Sequence, residues 1–244
     1  RAFSIDAFKA FIDTLKANKY KFVGFENSNA DNHTVIIRHD VDFDLKAAAD
    51  LAAIEKSLGV VSTYFFLIRT EMYNIFSKHG TEYVRSIINN GHSIGLHFDA
   101  RSYDDISAEA MRVAINLEME ILSNWLQTKI QFLSFHRPAP SLYDDRLGHL
   151  TAPYRHTYQT CFAIDRAYFA DSQGLWRFGN PLESEAFECG KALQINIHPV
   201  WWDGCETAHA TLSRYIESKS NFIMHEIARQ CKVYRSGRFS TIAD

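Results

Sequence analysis

Residues 91–100 read GHSIGLHFDA, a short apolar run that ends in ionisable side chains. Apolar residues at alternate positions, directly after a segment with helical periodicity, predict a β-strand. A strand rises about 3.3 Å per residue and its side chains alternate between faces, which places His92 and His97 about 16 Å apart on opposite sides. In a helix, five residues at 3.6 per turn would leave them about 140° apart. The two histidines therefore cannot share a metal ion, whereas His97 and Asp99 lie on one face about 6.6 Å apart.

The same kind of run recurs along the chain, where short β-rich stretches alternate with longer segments of helical periodicity. This alternation is typical of an α/β fold with a parallel sheet. We found no internal repeat or low-complexity linker, so we predict one domain over residues 1–244. Strands are expected in TVIIRHDVD, VVSTYFFLI, SIGLHFD, QFLSFHR, AYFADS and LQINIHP, and helices at residues 4–17, 44–58, 81–90, 107–127 and 206–230.

Ionisable residues stand at the ends of these predicted strands. In a (β/α) barrel the catalytic groups come from the carboxyl ends of several strands and gather on one face. The sequence therefore predicts a barrel whose active site is built from five strand ends; the alternative is that strand ends border loops, where polar residues are common. The residues concerned are Asp40 and Asp42 after VII, His97 after IGL, His136 after FLSF, Asp171 after YFA and His198 after INI.

Composition limits the classes of partner. The 244 residues are 46% hydrophobic and 23% charged, enough for one large core, and no stretch approaches the 18 apolar residues of a membrane span. A net charge of −3 without a basic run argues against a nucleic-acid partner. Charged residues at helical intervals near the start argue against a secretory signal, and we expect a cytoplasmic location, although a chain beginning at Arg1 leaves a removed leader open.

The four cysteines have no metal-binding spacing. Cys161, Cys189, Cys205 and Cys231 form no C-x-x-C motif, so reduced thiols are expected, with two disulfides as the alternative.

Asp40 and Asp42 form a carboxylate pair at the end of one strand. Two residues apart, they project to the same side, with Val41 on the other. Close carboxylates repel, which raises the pKa of one of them unless a cation lies nearby, and a divalent metal would relieve this repulsion. A solvated loop is the alternative interpretation. In LQINIHP the same alternation places Gln194, Asn196 and His198 on one face.

In this order, HDVD, GHSIGLHFD, SFHRPAP, YFADSQGLW and LQINIHPVWW resemble the motifs of the polysaccharide deacetylases, carbohydrate esterases that include chitin and peptidoglycan deacetylases. The motifs run from residue 35 to residue 202, most of the chain. The resemblance implies a distorted (β/α) barrel of seven or eight strands. It also implies a divalent metal, usually zinc, and removal of an N- or O-linked acyl group from a sugar.

The resemblance also implies a metal site that departs from the family pattern. Asp42 and His97 match two metal ligands, but the position four residues after His97, where the family has a second histidine, is Arg101. Zinc catalysis generally needs three protein ligands and an open position. His136 is our first choice for the third ligand and Asp99, otherwise a substrate-binding residue, is the second.

Catalytic roles follow from the same resemblance. Asp40 matches the general base and Arg137 the arginine that pairs with it and orients it. His198 matches the acid that protonates the leaving amine, and Asp171 the aspartate that orients this histidine. Three aromatic residues near the mouth are expected to stack on sugar rings, with burial in the core as the alternative: Trp176, Trp201 and Trp202.

We therefore predict a zinc-dependent deacetylase of an N-acetylated sugar, acting in surface polysaccharide biosynthesis. One alternative is a C–N hydrolase of a non-sugar amide, similar to allantoinase. Another is a non-catalytic carbohydrate-binding barrel, which the missing second histidine favours. The particular sugar, the metal and the oligomeric state are not specified by the sequence.

Overall fold

The computed structural model describes residues 3–103, 107–137, 151–205 and 207–231. Within them, eight strands form one sheet in which every pairing is parallel. The order along the sheet is β6-β5-β4-β3-β2-β8-β7, and β1 pairs with the start of β2. The strands are β1 Lys21–Phe22, β2 Thr34–Val41, β3 Thr63–Phe66, β4 Ser93–Phe98, β5 Phe132–Phe135, β6 Arg155–His156, β7 Ala167–Ala170 and β8 Leu193–Ile197.

This sheet curls into a barrel with one break. The last strand, β8, pairs with β2, so the sheet returns to its beginning. The described residues show no pairing between β6 and β7. Instead, Gln194 of β8, the strand next to β7, donates from Nε2 to the carbonyl oxygens of Thr157 at 3.2 Å and Phe162 at 2.8 Å, both in the segment after β6. The predicted distorted (β/α) barrel is confirmed.

Seven helices accompany the strands in the described residues. All five predicted helices are present, with ends that differ from the prediction by at most three residues, and Ser, Thr or Asp side chains accept hydrogen bonds at their N-termini. The two remaining helices have four residues each, too few to show a period. The bounds are α1 Ile5–Ala17, α2 Leu45–Ser57, α3 Lys78–Asn89, α4 Ala108–Leu126, α5 Thr160–Ala163, α6 Glu185–Glu188 and α7 Ala208–Gln230.

Two findings bear on the compositional arguments. None of the helices in the described part of the chain has the length and apolar character needed to cross a membrane. The cysteine thiols are free: Cys161, Cys189, Cys205 and Cys231.

The two faces of the strands differ in character. On the outer side, Val41 joins the apolar core between the sheet and helices α2 to α4, as the alternation along β2 predicts. The base of the lumen is filled by one aromatic cluster: Phe25, Ile36, Phe65, Phe132 and Phe162. Above it the lumen becomes polar. Gly95 is needed at this level of β4, because an added Cβ would lie 2.3 Å from the Phe65 ring.

A buried polar network anchors α2 to the sheet on the outer side. Glu55 of α2 is fully buried and accepts hydrogen bonds from His39 at 2.9 Å, Ser62 at 2.6 Å and Tyr64 at 2.8 Å. His92 joins this network through Ser62 and lies 2.9 Å from the carbonyl of Ala52. His92 is therefore structural, consistent with its exclusion from a shared site with His97.

We expect Glu55→Ala to lower the free energy of unfolding by about 3–5 kcal/mol. The substitution removes one buried carboxylate and leaves its donors His39, Ser62 and Tyr64 without this acceptor. The control is Asp50→Ala on the same helix, which breaks an exposed pair with Lys46 and is expected to cost less than about 1 kcal/mol. Urea denaturation of both variants checks this. Equal midpoints for Glu55→Ala and wild type would contradict it.

Candidate metal centre and active site

Three side chains from neighbouring strand ends meet at the mouth of the barrel. Asp42 Oδ1 lies 3.1 Å from His97 Nε2 and 3.2 Å from His136 Nδ1, and the two histidine nitrogens are 3.2 Å apart. Asp42 follows β2, His97 lies in β4 and His136 follows β5. His136 is held there by its backbone N–H, which donates to the carbonyl of Phe98 at 2.8 Å. These three residues could hold a metal ion.

The spacing of these donor atoms fits a tetrahedral zinc site. Zinc binds nitrogen and oxygen at about 2.0–2.1 Å, so two ligands of a tetrahedral ion are about 3.3–3.4 Å apart. The three observed separations of 3.1–3.2 Å form a nearly equilateral triangle of almost this size. Two imidazoles and one carboxylate are also a donor set that zinc commonly uses.

A hydrogen-bond chain fixes which nitrogen of His97 faces the site. Ser134 Oγ donates to Asp40 Oδ1 at 3.2 Å, because an ionised carboxylate can only accept. Ser134 therefore accepts from His97 Nδ1, at 2.6 Å. In the neutral imidazole this leaves the lone pair of Nε2 directed at Asp42 and His136. Metal-binding histidines are oriented in this way by a partner of the second nitrogen.

Asp40 is buried in the lumen, and its partner is not the one expected. Arg38, two residues earlier on the same strand face, donates from Nε to Oδ1 at 2.9 Å and from Nη2 to Oδ2 at 2.6 Å. Asn196 adds a donor to Oδ2 at 3.1 Å. With Ser134, the carboxylate thus accepts four hydrogen bonds. Burial alone would raise the pKa of Asp40, but the charge and hydrogen bonds of Arg38 outweigh it and hold that pKa well below its usual range.

Arg137 pairs with Asp99 instead, which corrects the expectation that it orients Asp40. Its Nη2 donates to Asp99 Oδ2, and Asp99 Oδ1 accepts from the backbone N–H of Arg101 at 3.0 Å. The direction of the chain after β5 turns Arg137 towards the cleft rather than into the lumen, and its φ of 49° is unusual for a residue other than glycine. Pro138, the next residue of that motif, lies outside the described residues.

His198 and Asp171 form the expected pair. Asp171 is fully buried and accepts from His198 Nδ1 at 2.6 Å, from the backbone N–H of His198 at 2.9 Å and from Trp202 Nε1 at 2.8 Å. His198 Nε2 lies 3.9 Å from Asp42 Oδ2, beside the donor triangle. Burial lowers the pKa of His198, but the hydrogen bond and charge of Asp171 raise it to about 9.

The tryptophans do not form a sugar-stacking surface at the mouth, which corrects a second expectation. Trp201 and Trp202 are 8% and 2% exposed and belong to the core beneath α1. They lie in the turn Pro199–Asp203, which folds back against Phe3 and Phe8. Trp176 is half-buried and stacks on Phe11. Trp202 contributes to the site through its bond to Asp171.

Sequence reasoning did not single out Arg38 or Ser134 as partners of Asp40, and it placed Asn196 on the face of His198 without assigning it a role. Arg38, Ser134 and Asn196 face the lumen because each is two residues before a lumen-facing group at its strand end: Asp40, His136 and His198. The same period of two that identified the strand ends could have identified them.

Comparisons with known proteins show similarity in structure only. No protein-family model matches the chain, and no curated protein sequence matches it significantly. The chitin deacetylase of Colletotrichum lindemuthianum is 18% identical over 76% of this chain and 81% of that one, with a TM-score of 0.49. A mutant peptidoglycan deacetylase from Bacillus subtilis is 13% identical over 84% and 99%, with a TM-score of 0.47.

Pseudoenzymes are also among these structures. One of carbohydrate esterase family 4, from Bacillus anthracis, is 12% identical over 75% of this chain and 60% of that one, with a TM-score of 0.47. This chain spans less than two thirds of the length of that protein. At these identities and TM-scores, the assignment of the site rests on the side chains of this protein itself.

We expect the purified protein to bind one divalent metal ion, and His136→Ala to lose it, because two donors cannot hold zinc as three do. Asp99→Ala is the matched control, since it removes the rival ligand, and is expected to keep the metal. Plasma mass spectrometry without added chelator measures both. Metal retained by His136→Ala and lost from Asp99→Ala would instead assign the third ligand to Asp99.

Proposed function

We propose that this protein is a metal-dependent hydrolase that removes an N-acyl group from an amino sugar. The observation that carries the proposal is the donor triangle of Asp42, His97 and His136 with the His198–Asp171 pair beside it. A metal-binding face and a carboxylate-oriented imidazole in one mouth are the two parts that amide hydrolysis requires.

A divalent ion held by Asp42, His97 and His136 would supply Lewis-acid polarisation of the acyl carbonyl and would lower the pKa of a water molecule. In the hydrolysis, water adds to the acyl carbon, the C–N bond breaks, and the products are a carboxylate and a free amine. His198 donates a proton to the departing nitrogen from Nε2, since Nδ1 is bonded to Asp171.

Asp40 is the proposed acceptor of the proton from water. Its Oδ2 lies 3.9 Å from His97 Nε2, so it borders the donor triangle. The four hydrogen bonds to its carboxylate keep it ionised at neutral pH but also make it a weak base. The role of Asp40 therefore needs a direct test, separate from that of His198.

A cleft of about 830 Å³ opens beside the donor triangle and has room for a substrate of several sugar units' size. Asp42 and His136 lie in its wall, so a bound acyl group would reach the metal ligands. We place the substrate in this cleft and propose that the deacetylated product serves in surface polysaccharide assembly.

A non-catalytic carbohydrate-binding barrel is the second candidate. The observation that favours it is that the Asp40 carboxylate already accepts four hydrogen bonds, which makes it a weak base. A barrel that only binds sugar needs no proton acceptor. The His198–Asp171 pair favours the enzyme, because pure binding does not need an imidazole whose Nδ1 is fixed by a buried carboxylate.

We expect His198→Gln to lower kcat on N-acetylated chito-oligosaccharides by about 100-fold or more, because proton transfer to the leaving nitrogen is lost. Asp40→Asn is expected to lower it similarly, with metal content unchanged in both variants. The control is His225→Gln, an exposed histidine of α7 outside the site, which should match wild type.

Release of free amine, measured with a fluorogenic amine reagent, gives these rates, and metal content is measured on the same samples. Full activity in Asp40→Asn would remove Asp40 from the mechanism. Metal-loaded wild type that binds these sugars without releasing amine would favour the binding barrel, and turnover of ureides or cyclic amides alone would favour a non-sugar C–N hydrolase.

A further inference from the structure

Two arginines line the same cleft as the metal-ligand candidates. Arg69 and Arg137 stand in its wall together with Asp42 and His136. Neither arginine is needed by the hydrolytic steps above, in which protons move through Asp40 and His198. Guanidinium groups match carboxylate and phosphate geometry with paired N–H donors, so their presence in a substrate cleft calls for an anionic ligand.

Arg69 is positioned by an aromatic ring. Its guanidinium carbon lies 4.4 Å from the centre of the Tyr103 ring. The hydroxyl of Tyr103 donates to Glu118 at 2.5 Å, and Glu118 is a buried residue of α4. Stacking holds the guanidinium plane, and an interaction with the Tyr103 hydroxyl uses part of its edge. A guanidinium has five N–H donors, so others remain for a ligand. Arg69 is therefore placed before a ligand arrives, which lowers the entropic cost of binding.

Arg137 is positioned by a carboxylate. Asp99, which is 8% exposed, accepts from its Nη2, while the Arg137 side chain remains 50% exposed. The same carboxylate is fixed from the other side by the backbone N–H of Arg101. A guanidinium has five N–H donors, and the pair with Asp99 uses one of them. Within the described residues the other donors have no hydrogen-bond partner, and Arg137 lines the cleft.

We propose that the substrate carries an anionic group, a carboxylate or a phosphate, that Arg69 and Arg137 bind while the acyl group lies at Asp42 and His136. This inference rests on the proposed function for the acyl group and adds the chemical class of the sugar. The substrate is then an acidic N-acyl amino sugar rather than a neutral one.

The carboxylates of the cleft do not cancel this preference. Asp99 is committed to Arg137 and to the Arg101 backbone, and Asp42 belongs to the donor triangle. Glu71 is an exposed carboxylate of the same wall. Glu71→Gln is a control with the opposite expected effect: it removes a negative charge that repels an anion, so the variant should bind an anionic ligand more tightly.

The experiment compares N-acetylglucosamine, N-acetylglucosaminuronic acid and N-acetylglucosamine 6-phosphate as substrates of the metal-loaded protein. We expect a lower KM for at least one acidic sugar, and Arg69→Gln and Arg137→Gln to raise that KM by about 10-fold or more, the effect of losing a charge-assisted hydrogen bond. Arg69→Gln is expected to narrow the difference in KM between the acidic and the neutral sugar. Arg85→Gln, an exposed arginine of α3 outside the cleft, is the matched control.

Binding of glucuronate and of glucose 6-phosphate, measured by calorimetry, separates this inference from the proposed function, since neither probe has an acyl group to remove. Binding that both arginine substitutions weaken supports an anion site even if no sugar is deacetylated, and the preferred probe identifies carboxylate or phosphate. If neutral and acidic sugars have equal KM values, or if the arginine substitutions leave both probes unaffected, the inference is overturned.

Discussion

The buried ion pair of Arg38 and Asp40 is the constraint around which the lumen is arranged. Removing two charges from water costs several kcal/mol per ion, so such a pair survives only with good geometry and with its other hydrogen-bonding groups satisfied. Both conditions hold here: the contact is bidentate, and the guanidinium also donates to Thr157 at 2.7 Å and Tyr158 at 3.1 Å. Because these partners follow β6 and Arg38 lies in β2, the pair also connects β2 across the lumen to the segment that follows β6.

Through Ser134, the ion pair determines which nitrogen of His97 faces the donor triangle. Ionised Asp40 forces Ser134 to donate, Ser134 forces His97 Nδ1 to donate, and His97 Nε2 is left as the acceptor that faces the donor triangle. His97 and Ser134 are register partners on β4 and β5, so His136, two residues beyond Ser134, emerges beside His97. This register explains why His136, which follows the neighbouring strand, lies with its Nδ1 3.2 Å from His97 Nε2.

Local periodicity was enough to predict the strand ends, the main helices and the convergence of Asp42, His97, His136 and His198. It was not enough to predict which charged side chains pair with each other. Arg38 precedes Asp40 on its own strand and enters the lumen, whereas the chain after β5 directs Arg137 to Asp99. The burial of Trp201 and Trp202 depends on contacts with α1, near the start of the chain, and a local pattern contains no information about such distant packing. The elements β1 and β6 were missed because two residues cannot show a period.

The charges at the mouth of the barrel also bear on the metal site. Three of its aspartates have a firm donor within the described residues: Asp40 pairs with Arg38, Asp99 with Arg137, and Asp171 accepts from Trp202 and His198. Asp42 is contacted by the imidazoles of His97 and His136. Because His97 Nδ1 already donates to Ser134, the Nε2 of that ring is an acceptor in the neutral form, whereas neutral His136 has one N–H that Nδ1 can carry. With both rings neutral, the cation beside Asp42 is His198, whose Nε2 lies 3.9 Å from Oδ2 and whose pKa is raised to about 9. A divalent metal shared by Asp42, His97 and His136 would place positive charge in direct contact with all three side chains.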